Sequence, residues 1–94
     1  MSESSTATIV SVRLVFLARL REAFGTGAES LVLAPEVRDV GSLLQLLRER
    51  GGAWAAELSP QRAVRVAVNH AMAAPDAPIR DGDEVALFPP VTGG

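Results

Sequence analysis

The sequence contains no cysteine, which excludes several kinds of sulfur chemistry on its own side chains. Without a thiol there is no disulfide, no thiolate nucleophile, no thiolate metal site and no persulfide. Lysine is also absent, because all nine basic residues are arginine. The chain therefore cannot form a Schiff base, and no isopeptide bond can be made on one of its side chains.

Histidine is nearly absent too, since His70 is the only one in the sequence. One histidine does not hold a metal ion without several partners, and His70 falls in a predicted turn. We therefore expect its side chain to be solvated, and we expect no metal site. A catalytic triad is not expected either, because no nucleophile-elbow motif accompanies this histidine. These shortages predict a chain that is not an enzyme on its own and that binds no cofactor.

A strong charge of one sign and a long apolar run are also lacking. The net charge of −2 favours neither nucleic acid nor an anionic membrane surface as a partner. No apolar run approaches the roughly 20 residues that a membrane span needs. The polar leader at residues 1–8 has no basic cluster, so it is not a secretory signal. We expect this leader to be disordered and the protein to be cytoplasmic.

The 94 residues are enough for one small domain, which we place at residues 9–88. Alternating apolar residues predict a first strand at 9–17 and a last strand at 84–88. The positions predicted to face the core alternate along both strands: Val12, Leu14, Phe16, Val85 and Leu87. Between these strands the patterns predict a helical turn at 19–24, strands at 29–33 and 64–68, and a short extended segment at 71–73.

One apolar stripe at helical spacing predicts the main helix: Val40, Leu43, Leu44 and Leu47. Asp39 is the predicted N-cap of this helix, with Ser42 three residues later. Arg48 and Arg50 are placed in its last turn, where cations favour the helix dipole. Gly51-Gly52 is expected to end the helix.

The order of these elements predicts an α+β fold in which a mixed sheet packs on one main helix. This order fits the β-grasp, or ubiquitin-like, roll. A ferredoxin-like roll would need a second full helix, and the short turn predicted at 53–58 cannot supply one. That turn carries Trp54, which we expect to be buried as an anchor of the core.

The sequence closes with Phe88-Pro89-Pro90-Val91-Thr92-Gly93-Gly94, which is its most informative segment. Proline cannot continue a strand ladder, so Pro89 and Pro90 are expected to lift a flexible, extended tail (residues 89–94) off the sheet. Two glycines have no Cβ, and such a segment can enter a channel too narrow for other residues. The reactive group would be the α-carboxylate of Gly94, which becomes an acyl donor once ATP has adenylated it.

These segments resemble the small, sulfur carrier subunit of the molybdopterin synthase family. The likeness covers nearly the whole sequence from Ser11 and is most specific in the proline-proline-diglycine ending. It includes residues 16–25, with Arg21-Glu22 before a glycine, and residues 66–69, which read Val-Ala-Val-Asn. It also includes residues 81–85, which read Asp-Gly-Asp-Glu-Val.

The resemblance implies a sulfur carrier that works through Gly94. A ubiquitin-activating-type adenylyltransferase would consume ATP to form a glycyl adenylate at Gly94. A sulfurtransferase or cysteine desulfurase would then supply the sulfur that converts this residue to 1-thioglycine, a thiocarboxylate. The tail, Pro89-Pro90-Val91-Thr92-Gly93, would enter the active site of a large catalytic subunit within a heterotetramer. There the sulfur would pass to cyclic pyranopterin monophosphate, and two such donations would build the dithiolene of molybdopterin.

The resemblance also implies a docking patch beside the tail, formed by Leu17, Met72 and Phe88. Strand parity supports this in part, because Leu17 and Phe88 fall opposite the core-facing positions and therefore on the helix-free face. Apolar side chains on an open sheet face commonly mark a binding surface. Arg21 matches a family arginine that contacts the activating enzyme, and a solvated arginine at a helix end is the alternative interpretation.

Three other functions fit the same tail. A carrier of this kind could supply the sulfur for another product, such as thiamin, cysteine or a tRNA thionucleoside. A protein modifier would form isopeptides through Gly94 with lysines of other proteins. A plain interaction domain would have an inert tail, and removing Gly93-Gly94 would then leave its activity unchanged.

Overall fold

The computed structural model describes residues 9–90, which form five strands and three helices. In chain order they are β1 (Val10–Phe16), α1 (Arg19–Phe24), β2 (Ala28–Leu33), α2 (Val40–Arg48), α3 (Gly52–Glu57), β3 (Arg65–Val68), β4 (Ala71–Met72) and β5 (Glu84–Phe88). Every predicted strand is present, with bounds within one residue of those expected. The predicted leader at 1–8 and the tail residues 91–94 lie outside the described residues. No helix among residues 9–90 is long and apolar enough to cross a membrane.

The five strands form one mixed sheet in the order β2-β1-β5-β3-β4. β1 runs parallel to β5 at the centre of the sheet, with Leu14 opposite Val85. The other strand pairs of the described sheet are antiparallel. β2 turns back beside β1 after α1, so the two strands form a wide antiparallel hairpin. The mixed sheet that the element order predicts is therefore present.

The core lies between one face of this sheet and the helices, with α2 as its main cover. The predicted core positions of β1 and β5 are confirmed, because Leu14, Phe16, Val85 and Leu87 have no exposed surface. The buried hydrophobic residues are Val12, Leu14, Phe16, Leu20, Leu33, Val37, Val40, Leu43, Leu47, Leu58, Val66, Ile79, Val85 and Leu87. Each large apolar side chain contributes about 1.5–3 kcal/mol when it is fully buried, so this layer dominates the stabilising free energy.

The N-terminus of α2 is capped as the sequence predicts. The Asp39 carboxylate accepts a hydrogen bond from the Ser42 backbone N–H at 2.8 Å, and the Ser42 hydroxyl oxygen accepts one from the Asp39 N–H at 3.2 Å. The backbone N–H of Ser42, and then its hydroxyl at 2.7 Å, donate to the Asp39 carboxylate and hold the pKa of Asp39 below its ordinary value. Two of the unpaired N–H groups at this helix end are therefore satisfied reciprocally.

The C-terminal end of α2 differs from the prediction. The helix ends at Arg48, with Glu49 as its C-cap, so Arg50 does not belong to the last turn. Gly51 and Gly52 both have positive φ, 77° and 55°, and Gly52 is the first residue of α3. The glycine pair therefore redirects the chain into a new helix instead of simply ending the old one, because left-handed backbone costs glycine little.

Trp54 is half-buried, which corrects the prediction of a buried core anchor. Its ring stacks on Phe24, with centroids 3.8 Å apart, and meets the edge of Phe16 at 5.3 Å. The guanidinium of Arg50 lies over the Trp54 ring at 4.4 Å and makes two hydrogen bonds to the Glu29 carboxylate. Arg50 thus covers the aromatic cluster at the edge of the core, where a cation over an aromatic face is favourable.

The Glu29–Arg50 pair should make stability depend on pH. The hydrogen bond from Arg50 holds the pKa of Glu29 below its ordinary value. A lowered carboxylate pKa contributes stability at higher pH, and this contribution is lost as the pH falls through the folded-state pKa. We expect the free energy of unfolding of the wild type to decrease as the pH is lowered below about 4. The slope of this free energy against pH should be shallower in Glu29→Gln.

Urea denaturation between about pH 3 and about pH 7 measures this difference. Glu49→Gln is the matched control, since Glu49 is exposed and makes no ion pair within residues 9–90. It should keep the wild-type slope. Identical slopes for Glu29→Gln and the wild type would show that the pair adds nothing to acid stability.

Ala18 has a backbone conformation that alanine rarely adopts, with φ 54° and ψ −132°. It occupies the first central position of the turn between β1 and α1. This turn is closed by a hydrogen bond from the Leu20 N–H to the Leu17 carbonyl at 3.1 Å. The same position in a type II′ turn favours glycine, because a Cβ is strained at positive φ. Backbone strain is therefore stored at the end of β1.

Replacing this alanine should stabilise the protein. We expect Ala18→Gly to raise the free energy of unfolding by about 1 kcal/mol, because the relief of strain exceeds the entropy cost of glycine. Ala23→Gly, at an exposed position in α1, is the matched control and should lower it by about 1 kcal/mol. Urea denaturation of both variants measures the difference, and a similar loss in both would contradict the expectation.

Candidate functional site

The candidate site is built around the root of the tail, Phe88-Pro89-Pro90. The strand ladder stops at Phe88, as the two prolines predict, and both prolines are half-buried. The four residues from Val91 to Gly94, which include the predicted reactive residue, lie outside the described residues. At about 3.4 Å per residue they reach at most about 14 Å beyond Pro90. The surfaces beside the root therefore define the surroundings of the predicted reaction.

One apolar row crosses all five strands on the helix-free face. The strand registers place its five members side by side: Ala28, Val15, Ala86, Ala67 and Met72. Three of them are alanine, so short apolar side chains cover much of this row. Such a surface can pack closely against another protein.

Leu17 and Phe88 lie on the same face, next to this row and at the end of the sheet where the tail begins. The backbone N–H of Leu17 donates to the Leu87 carbonyl at 3.0 Å, which extends the pairing of β1 with β5. Leu17 is 44% exposed and Met72 is 61% exposed, whereas Phe88 is half-buried. The structure thus brings the three predicted docking residues to one face. We call these three residues, together with Ala67 and Ala86, the open-face patch. That this patch docks on a partner stays a prediction.

A groove lies on the opposite, helix-bearing side of the tail root. It has a volume of about 510 Å³, and Pro89 and Pro90 form part of its wall. Its wall also includes Arg19, Leu20, Glu57, Arg62 and Val64. We call this cavity the tail-root groove. The tail root therefore lies between the open-face patch and this groove.

Glu57 joins two arginines at the edge of the tail-root groove. Its Oε1 accepts hydrogen bonds from Arg19 Nη2 at 2.7 Å and Arg19 Nε at 3.2 Å, and it lies 3.7 Å from Arg62 Nη1. The Glu57 side chain is 18% exposed, and those of Arg19 and Arg62 are 52% and 47% exposed. Two guanidinium groups therefore share one carboxylate, and this edge of the groove carries an excess positive charge.

Sequence patterns do not reveal this cluster. Arg19 and Glu57 are 38 residues apart and lie on different helices, so no local spacing connects them. The alternation of residues along their strands indicates which face the alanines of the open-face patch occupy. Alanine is common on both faces of a sheet, however, so it does not mark that face as a binding surface. Both features depend on which elements become neighbours.

Arg21 lies apart from both surfaces. It is exposed on α1, and its side chain packs over Gly27, where an added Cβ would approach Arg21 Nε to 3.2 Å. This arginine lines neither the tail-root groove nor the strands of the open-face patch. Its predicted contact with an activating enzyme stays a prediction.

His70 is solvated, as its place in a turn predicts. Its side chain is 85% exposed, and its Nε2 lies 3.8 Å from the Glu84 carboxylate. Asn69 and His70 both have positive φ, 50° and 72°, which matches the tight turn between β3 and β4. Within residues 9–90, no group of three or more histidine or acidic side chains is placed to hold a metal ion.

The mixed sheet, the single main helix over one face and the proline root that follows the central strand define a ubiquitin-like β-grasp protein. The resemblance seen in the sequence is confirmed by comparison with known proteins. The model of the ThiS family matches residues 14–94, and the chain belongs to this family. A curated relative, the molybdopterin synthase sulfur carrier subunit of Escherichia coli (strain K12), is 39% identical over 83 residues. The match covers 88% of this chain and 99% of the relative.

Solved structures support the same fold. The Haloferax volcanii HVO 2177 protein superposes with a TM-score of 0.76 at 26% identity, and the match covers 99% of this chain and 94% of that one. SAMP1 from Haloferax volcanii superposes with a TM-score of 0.69 at 29% identity, and the match covers 89% of this chain and 99% of that one. The fold is therefore shared with proteins whose names point to different roles.

Proposed function

We propose that this chain is the sulfur carrier subunit of a molybdopterin synthase. The observation that carries the proposal is the family match through Gly94, combined with a tail root that leaves the sheet beside an exposed apolar patch. A carboxylate oxygen of Gly94 attacks the α-phosphorus of ATP, and pyrophosphate leaves. A persulfide sulfur of the donor then attacks the acyl carbon of the adenylate, and AMP leaves. A thiol cleaves the S–S bond of the acyl disulfide so formed, which releases the thiocarboxylate and leaves the donor cysteine in a disulfide with that thiol. The resulting thiocarboxylate donates its sulfur to cyclic pyranopterin monophosphate, on the way to the molybdopterin dithiolene.

The chain contributes the tail and its docking surface, while the catalytic side chains belong to other proteins. A ubiquitin-activating-type adenylyltransferase supplies the activation step, and a sulfurtransferase or cysteine desulfurase supplies the sulfur. The tail then enters the active site of a large catalytic subunit, in a cytoplasmic heterotetramer of two small and two large subunits. This division agrees with a sequence that has no cysteine and no lysine, because neither a thiol nor an amine of this chain is needed.

The mass of the intact protein tests the activation directly. After incubation with a cognate activating enzyme, ATP and a sulfur donor, we expect a mass increase equal to the difference between sulfur and oxygen. Tandem fragmentation should place the change at Gly94. An unchanged mass under conditions that sulfurate a known carrier would overturn the proposal.

Deleting Gly94 should abolish sulfur transfer without unfolding the domain. The buried core residues of the described chain lie between Val12 and Leu87, so the deletion removes none of them. We expect no mass shift on activation and no molybdopterin formation, with a urea midpoint equal to that of the wild type. Retained activity would mean that Gly94 is not the reacting residue.

A charge in the open-face patch should weaken docking on the large subunit. We expect Phe88→Arg to raise the Kd for this subunit at least tenfold, because a guanidinium would be placed in an apolar contact. Val32→Arg is the matched control, since Val32 is an exposed valine on the same face of the edge strand β2. Titration calorimetry measures both affinities. If both substitutions have an equally small effect on the Kd, Phe88 does not belong to the interface.

A protein modifier is the second candidate. The similarity to SAMP1, whose name stands for small archaeal modifier protein 1, favours it. A modifier would transfer the Gly94 acyl group to lysines of other proteins instead of giving up sulfur. An epitope-tagged chain expressed in its own cell would then produce a ladder of larger species that depends on Gly94. A single unmodified band, together with sulfur transfer in vitro, would favour the carrier.

A further inference from the structure

We propose that the tail-root groove is a second contact site for the large subunit, and that it binds an acidic segment at the rim of the channel which receives the tail. Arg62 and Arg19 would pair with a carboxylate of that segment. The proposal rests on the proposed function, since it deepens the interaction with the same partner. It concerns the helix-bearing side of the tail root, whereas the open-face patch lies on the other side.

The position of the groove is the first argument. Pro89 and Pro90 are part of its wall, so a protein that encloses residues 91–94 must come within a few ångströms of it. The four enclosed residues span at most about 14 Å, which leaves little length to hold the partner away from the domain. A partner that covers only the open-face patch would leave this 510 Å³ groove uncovered on the other side of the tail root. Interfaces of stable complexes are packed about as densely as protein interiors, so a filled groove is favoured.

The charge of the groove is the second argument, and it specifies the chemistry of the partner. Two half-exposed arginines share a single oxygen of Glu57, which leaves most of their N–H donors without a carboxylate. Within residues 9–90, the guanidinium of Arg62 has only the 3.7 Å contact to Glu57. The chain as a whole is slightly acidic, with a net charge of −2, so the sign of this edge is opposite to that of the whole chain. Complementary charges across an interface steer association and fix the register of the partners.

The floor of the groove is the third argument. Ala63 and Val64 supply apolar surface next to the arginines, and Pro89 continues it toward the tail. Such a site fits a segment that presents an aspartate or glutamate beside an apolar side chain. Arginine is suited to this role, because its planar guanidinium can bind a carboxylate through two hydrogen bonds.

Calorimetric titration of the cognate large subunit with the full chain tests the proposal. We expect Arg62→Gln to raise the Kd about threefold to fivefold at low salt, and the difference from the wild type to shrink at high salt. Arg80→Gln is the matched control, because Arg80 is exposed and precedes β5, at the end of the sheet opposite the tail root. An effect of Arg62→Gln no larger than that of Arg80→Gln would overturn the proposal.

The substitution Glu57→Gln tests whether the Arg19–Glu57–Arg62 cluster binds the partner or only stabilises the fold. This substitution removes the internal carboxylate that competes for both arginines, so we expect the large subunit to bind as tightly as before or more tightly. If the Arg19–Glu57–Arg62 cluster only braces the fold, Glu57→Gln should weaken binding as Arg62→Gln does, and the proposal would then be wrong. A wild-type chain that does not bind the large subunit would instead overturn the proposed function itself. Urea denaturation of each variant shows that the domain is folded.

Discussion

The parallel pairing of β1 with β5 is the constraint on which the surroundings of the tail depend. Parallel neighbours end at the same edge of a sheet, so the residues after β1 and those after β5 are brought together. Leu17, at the end of β1, is therefore hydrogen-bonded to Leu87, one residue before the root of the tail. The strained turn at Ala18 then carries the chain into α1, which supplies one side of the tail-root groove. An antiparallel arrangement of these two strands would separate all of these features.

The tail root lies between two surfaces of different character. On the helix-free side, alanines and a few large apolar residues form a patch, and the exposed Arg65 lies at its edge as the cross-strand neighbour of Phe88. On the helix-bearing side, arginines surround an apolar floor. Arginine supplies positive charge without an amine that an activated acyl group could modify, whereas lysine at the same place would be a nucleophile. The composition of the chain is therefore compatible with an activated carboxyl group close to its own cationic residues.

Local patterns accounted for most of the secondary structure. Alternation identified the core faces of β1 and β5, and the spacing of Asp39 and Ser42 identified the start of α2, because each signal depends on neighbours in sequence. The errors occurred where the outcome depended on distant contacts. The prediction places Arg50 in the last turn of α2, but it lies beyond the C-cap Glu49, where it bonds to Glu29 and covers Trp54. Trp54 was expected to be buried, yet the small core leaves it at the edge, where Arg50 covers it.

The sequence by itself determined the strand faces, the main helix, the proline root and the family to which the chain belongs. Each of these depends on residue types at short spacings or on a continuous motif. Only the tertiary structure decided that Met72 shares a face with Phe88, since this follows from strand order and register. It also decided that Arg19, Glu57 and Arg62 meet beside Pro89 and Pro90. Periodicity is a local property of the chain, whereas the pairing of strands and helices depends on the free energy of the whole core, and no short segment contains that information.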